Sequence, residues 1–200
     1  LQDDYVTAHN LDQIGRTEDL RFGTQLSAEL GVSQAALGAN RNAFVASLGA
    51  SRGYRLVHEQ SLFLAGSWGS RLEGGSLRDS LLSVSSRYFW RASGKTVLFV
   101  GLAADKGSAL DLDHELMLGG DTGLRGYPLR YQTGTARALL TVEGRYFTNW
   151  YPLRLARVGA AVFADIGRTW GASALAVPEL GTLRDVGIGL RFGNTRSALG

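Results

Sequence analysis

Residues 20–32 read LRFGTQLSAELGV, and the apolar set Leu20, Phe22, Leu26, Ala28, Leu30 and Val32 alternates with Arg21, Gly23, Gln25, Ser27, Glu29 and Gly31. A period of two places these sets on opposite faces of a β-strand, one greasy and one small or polar. The pattern recurs at Phe44, Ala46, Leu48 and Ala50 against Ser47, Gly49 and Ser51, and at Leu62, Leu64, Gly66 and Trp68 against Ala65, Ser67 and Gly69. Leu82, Val84, Tyr88 and Trp90 oppose Ser83, Ser85, Arg87 and Arg91, while 97–104 is apolar at both parities and has no readable register. Further on, Ala138, Leu140, Val142 and Tyr146 oppose Thr141, Glu143 and Arg145. Val158, Ala160, Val162, Ala164 and Ile166 oppose Gly159, Phe163 and Asp165, and Val186, Ile188, Leu190 and Phe192 oppose Gly187, Gly189 and Arg191.

These segments predict an all-β, antiparallel protein of about eight strands, each roughly 9 to 13 residues long, which is the length a tilted strand needs to cross a bilayer. Soluble strands average only about 5 to 6 residues. A soluble sandwich would also carry more Lys, Glu and Thr on its polar face than the Gly and Ser found here. Twenty-seven glycines among 200 residues argue against helices, since each costs about 1 kcal/mol in a helix interior. If strands alternate in direction, Tyr54, Tyr88, Phe89, Trp90, Tyr146, Trp150 and Tyr151 gather at one end, as an interfacial girdle does. Around 92–95 the turn is short, and around 168–182 the connection is long. That asymmetry is expected of an outer-membrane barrel.

Composition narrows the chemistry. With no cysteine there is neither a disulfide framework nor a thiol nucleophile, and His9, His58 and His114 are too scattered for a local metal motif. The net charge of +3 comes from dispersed arginines with no basic block, so nucleic acid is not an expected partner. No run approaches the roughly 18 to 20 apolar residues of a membrane helix. No cofactor or metal is expected.

Three short matches to catalytic motifs fail on context. Gly49-Ala50-Ser51-Arg52-Gly53 fits a nucleophile elbow, but the alternation runs through Ser51 with no helix after it. Ser93-Gly94-Lys95-Thr96 resembles the end of a phosphate-binding loop, yet the earlier glycine that such a loop requires falls on Phe89. Asp121-Thr122-Gly123 reads as a turn.

The segment 106–134 between two strands is far longer than a hairpin loop of about 2 to 5 residues, and such connections are usually functional. It contains LGGDTGLRGYP at Leu118–Pro128, and FADIG follows at Phe163–Gly167. By parity Glu143 and Asp165 share the polar face of neighbouring strands. A guanidinium on a loop folded onto that face would pair with both carboxylates.

This pair of motifs resembles the signature of the Omp85 superfamily, also called the bacterial surface antigen family. The resemblance is specific from about 116 to 171. It implies a transmembrane β-barrel of sixteen strands, of which these are about eight. In the resemblance, Gly119, Gly120, Gly123, Leu124, Arg125, Gly126 and Tyr127 form a lumenal loop, and Glu143, Phe163, Asp165 and Gly167 are its partners. Arg125 would hold the loop against Asp165 and Glu143. Family members carry periplasmic POTRA modules before the barrel, so 1–200 is expected to be a single central and C-terminal barrel segment, with the POTRA region and final strands outside it. Its parts are 1–18, a leading strand or loop; 19–105, about five strands; 106–134, the inward loop; and 135–200, about three strands. Eight strands would also suffice for a small closed barrel.

The implied function is non-enzymatic: assembly and insertion of outer-membrane proteins, or polypeptide translocation across the bacterial outer membrane. Its implied partners are outer-membrane lipid, an unfolded or secreted polypeptide, and accessory assembly proteins. A passive pore, or a barrel anchoring a fused passenger or hydrolase domain, is the alternative. A hydrolase within these residues would require a base near Ser51, and none of the three histidines is positioned to serve.

Overall fold

The computed structural model describes residues 5–9, 11–12, 17–57, 59–111, 114–152, 155–172 and 180–193. His58, and the part of the long connection at 173–179, lie outside the described residues. The chain is all-β and antiparallel. Its strands are β1 (Tyr5–His9), β2 (Thr17–Arg21), β3 (Thr24–Ser33), β4 (Ala43–Arg55), β5 (Gln60–Glu73), β6 (Ser76–Ser93), β7 (Thr96–Ser108), β8 (Leu116–Leu118), β9 (Gln132–Gly134), β10 (Ala136–Phe147), β11 (Arg157–Trp170) and β12 (Leu183–Gly193).

Eight of these form one sheet in the order β12-β11-β10-β7-β6-β5-β4-β3. They correspond to the seven alternating segments of the sequence and the apolar segment 97–104, and β6 extends to 18 residues. β3 and β12 stand at opposite edges, so the described residues do not close into a barrel. The ambiguous 97–104 segment takes its register from β10, with Val97 opposite Arg145 and Phe99 opposite Glu143.

The two faces of the sheet differ in what covers them: one is apolar and uncovered, and the other mixes buried charges with two apolar clusters. One face is bare and carries Leu48, Leu82, Leu102, Val142, Val162, Val186 and Ile188, the last two more than 80% exposed. Among the residues on the other face, Glu143 and Asp165 are 3% and 1% exposed, and Arg145 is also buried. Soluble domains bury the apolar set and solvate the charges. Two inserts cover part of this face, the hairpin β1–β2 and the excursion 109–135, which contains β8 and β9, while Gln25, Ser27 and Glu29 of β3 remain exposed.

The two inserts explain two departures from the sequence pattern. Residues 20–32 do not form one strand, because the chain bends at Phe22-Gly23. Leu20 and Phe22 therefore leave the greasy face and pack on the covered one. Leu20 lies against the cluster of Ala8, Leu11, Phe89, Val97 and Phe147, and the Phe22 ring sits 5.5 Å from that of Phe63. Phe89, expected in the girdle, is 3% exposed in this same cluster. Its neighbours Tyr88 and Trp90 have the opposite parity, so Phe89 points away from the bare face. Segment 97–104 is apolar at both parities because Val97 and Phe99 meet the hairpin cluster while Leu102 lies bare.

Tyr54, Tyr88, Trp90, Tyr146 and Trp150 do collect at one end of the sheet, where strands are joined by 56–59, 94–95 and 148–156. At the other end, 109–135 and 171–182 are longer than any of these, 34–42 equals 148–156 in length, and the Gly74-Gly75 hairpin is short.

Candidate functional site: the Arg125 loop and its carboxylates

The 109–135 excursion is a folded insert rather than a surface loop. β8 pairs with β9, a 3-10 turn spans Gly120–Thr122, and Leu118 and Leu124 are fully buried with Leu183, Tyr127 and Leu139. Several polar contacts fix it to the sheet. Arg137 Nη1 donates to the Met117 carbonyl at 2.9 Å, Thr169 Oγ1 to the Thr133 carbonyl at 2.9 Å, and the Thr169 amide to Gln132 Oε1 at 2.9 Å. Gly119, Gly120 and Gly123 all have positive φ, a conformation glycine adopts without steric cost. They let the chain reverse so that the Gly119 amide donates to the Gly123 carbonyl at 3.0 Å.

This reversal presents Arg125 to the sheet. Its Nε and Nη2 donate to the two oxygens of Asp165 at 2.9 and 3.2 Å, and Nη1 donates to Glu143 Oε2 at 2.6 Å. The guanidinium carbon lies 3.5 Å from the centre of the Phe163 ring, so the cation is stacked as well as forked. Two carboxylates on adjacent strands are thus bridged by one planar group, a geometry that an ammonium cannot reproduce. Burial works against the Arg125 charge, but hydrogen bonds to Asp165 and then Glu143 outweigh it, leaving its pKa above the ordinary guanidinium value.

The neighbouring motif residues complete the apex. The Gly126 amide donates to Asp185 Oδ2 at 2.8 Å, and the Tyr127 hydroxyl donates to the Arg184 carbonyl at 3.0 Å. Gly167 lies in β11 directly beside Leu118 and Leu139. A β-carbon on Gly126 would stand 2.9 Å from Asp185 Cβ, closer than carbon atoms pack. Gly126→Ala is therefore expected to lift the apex from β12 and lower stability by about 1–3 kcal/mol. Denaturant titration of the protein measures this, and an unchanged midpoint would mean the apex contact contributes nothing.

The cluster also holds residues outside the two motifs. Glu143 Oε1 accepts from Arg145 Nε at 2.9 Å and from Arg191 Nη1. Arg145 Nη1 reaches Asp12 Oδ1 at 2.8 Å. Parity already places Arg145, Asp185 and Arg191 on the covered face, but Asp12 carried no such signal.

A second ion cluster lies at the long-loop end. Arg71 Nη2 donates to Asp111 Oδ2 at 3.1 Å and Nε to Glu73 at 3.1 Å, and His114 Nδ1 is 2.7 Å from Asp79. Together these residues tie the 109–135 insert to the β5–β6 hairpin.

The three short motif matches fall in ordinary local structure. Ser51 sits within β4 opposite Gln25 and Ala65, with no strand-to-helix turn. Ser93 and Thr96 flank the tight β6–β7 turn, where the Lys95 amide donates to Ser93 Oγ. Asp121-Thr122-Gly123 belongs to the 3-10 turn and its cap. No family model matches the chain, and no curated protein matches it.

Proposed function

We propose that this chain is part of an outer-membrane β-barrel of the Omp85 type, acting without chemistry of its own in the insertion of β-barrel proteins or in polypeptide translocation. The observation that carries the reading is the uncovered apolar face of the sheet, joined to an arginine apex seated on two buried carboxylates of the opposite face. A bare face of Leu, Val and Ile is stable in lipid and a liability in water. The charged face suits an enclosed lumen, where Arg125 pins the insert against the wall.

In this reading the edges of β3 and β12 meet further strands of a longer chain, because an unpaired edge in hydrocarbon leaves backbone groups without partners. Lipid is then one partner. The others are an unfolded or secreted polypeptide and accessory assembly proteins, and nucleic acid is not among them. The residence is the bacterial outer membrane.

The test is whether the full-length protein fractionates with outer membranes and migrates differently on electrophoresis before and after boiling. Recovery as a soluble monomer without detergent would overturn the reading.

One observation favours the second reading, a passive pore or a barrel anchoring a fused passenger or hydrolase domain. Gln25, Ser51, Ser85, Arg52 and Arg87 line part of a cavity of about 490 Å³ under the hairpin, with Leu20, Phe63 and Phe89 on the remainder of its lining, and the polar part of that wall can hold water. Planar-bilayer recording separates the two. A wide, steady conductance indifferent to Arg125→Ala would favour the pore.

A further inference from the structure

The hairpin β1–β2 belongs to neither motif, and it is fastened to the same carboxylate as the Arg125 loop. It pairs only with itself, and it lies across the covered face through Ala8 and Leu11. Beyond β1, the Leu11 and Asp12 amides both donate to the Glu18 carboxylate of β2, at 3.1 and 2.8 Å, which ties these two residues to the hairpin. The acceptors of Leu11 and Asp12 in turn meet two arginines of the sheet. Arg145 Nη1 donates to the Leu11 carbonyl at 3.0 Å and to Asp12 Oδ1 at 2.8 Å, and Arg191 Nη2 donates to the Asp12 carbonyl at 2.9 Å.

Neither arginine is placed by the hairpin alone. Arg145 Nε and Arg191 Nη1 both converge on Glu143 Oε1, while the other oxygen of Glu143 takes Arg125. One buried carboxylate therefore orients the cation of the 109–135 insert and both cations that grip the hairpin. We propose that the Tyr5–Arg21 hairpin is a second latch on the covered face, coupled through Glu143 to the Arg125 loop, so that loss of the Glu143 charge releases both covers together. The barrel reading supplies only the name of the space they close; the coupling stands on the contacts.

The sign follows from which charges are screened. Without the Glu143 charge, Arg145 and Arg191 lose the carboxylate that lies between them, and the attraction of Asp12 is left to hold them. Asp12 is about half exposed, at 47% of its side chain, so solvent weakens that pull. Arg145 and Arg191 meet at a buried oxygen where their repulsion is poorly screened. They separate, and the hairpin loses two oriented donors.

The experiment is hydrogen exchange on the full-length protein in detergent, following β1–β2 amides and β8–β9 amides as separate groups. Glu143→Gln should speed both groups by about tenfold or more, the range expected when charge-assisted hydrogen bonds are lost. Asp12→Ala, at a half-exposed position, should speed the hairpin, and Asp165→Asn should speed the loop.

Glu143→Gln leaving hairpin exchange at its original rate would overturn the coupling. Asp12→Ala leaving it unchanged would overturn the latch even if Glu143→Gln fails to fold. These rates are readable whether the protein inserts, translocates or conducts, so failure here is separate from failure of the functional reading.

Discussion

Arg125→Ala is expected to cost the protein about 3 kcal/mol of stability, the low end of the roughly 3–5 kcal/mol seen when a buried ion pair loses one partner. The low end applies because the Arg125 side chain keeps 35% of its exposure, whereas Glu143 and Asp165 keep almost none. The loss should act mainly through Asp165. Glu143 retains Arg145 and Arg191, but Asp165 loses the three donors Arg125 supplies to it, including the backbone amide if the apex lifts.

The double variant Arg125→Ala with Asp165→Asn should accordingly be more stable than Arg125→Ala alone, because the uncompensated charge is gone. Arg125→Lys should recover only part of the loss, since one ammonium cannot reach Asp165 along two parallel bonds and stack on Phe163 as well. Urea titration in detergent reads all three. Equal midpoints for wild type and Arg125→Ala would show that the apex is not held by these carboxylates.

The second large effect is expected on the bare face. Val162 and Ile188 are 59% and 85% exposed, near the middles of β11 and β12. In water a substitution at such a position changes stability by no more than about 0.5 kcal/mol. Facing lipid near the midplane, Val162→Arg or Ile188→Arg should each cost about 2–4 kcal/mol. Ser83→Arg serves as the comparison, because Ser83 lies on β6 at the opposite parity and faces the polar side. Refolding of the full-length protein into lipid vesicles measures the difference. A near-neutral result at both Val162 and Ile188 would place this face in water and remove the membrane reading with it.

What the sequence determined by itself is the part of the structure with local periodicity. Side chains on a strand alternate without help from anything distant, so residues 44–51, 62–69, 138–146 and 158–166 could be read as strands. The same rule put Glu143 and Asp165 on one face and Val162 and Ile188 on the other. It also sorted Phe89 away from Tyr88 and Trp90, although grouping aromatics by proximity to a turn placed it wrongly in the girdle. The glycines of Leu118–Pro128 signalled a chain reversal.

The tertiary structure alone decided what covers the polar face. Periodicity cannot say that the chain breaks at Phe22-Gly23, because the alternation continues through the bend while the backbone turns inward. Nor can it resolve 97–104, whose two apolar faces differ only in that one meets the hairpin and the other lies bare. The Arg145–Asp12 contact joins residues 133 positions apart, and no local pattern encodes such a distance. Charges at that separation become partners only because eight strands in register bring β10 and β12 under the hairpin. The open edges at β3 and β12 follow from the same ladder: hydrogen-bond pairing is a property of neighbours in space, and each strand's own sequence specifies its faces but not which strand lies beside it.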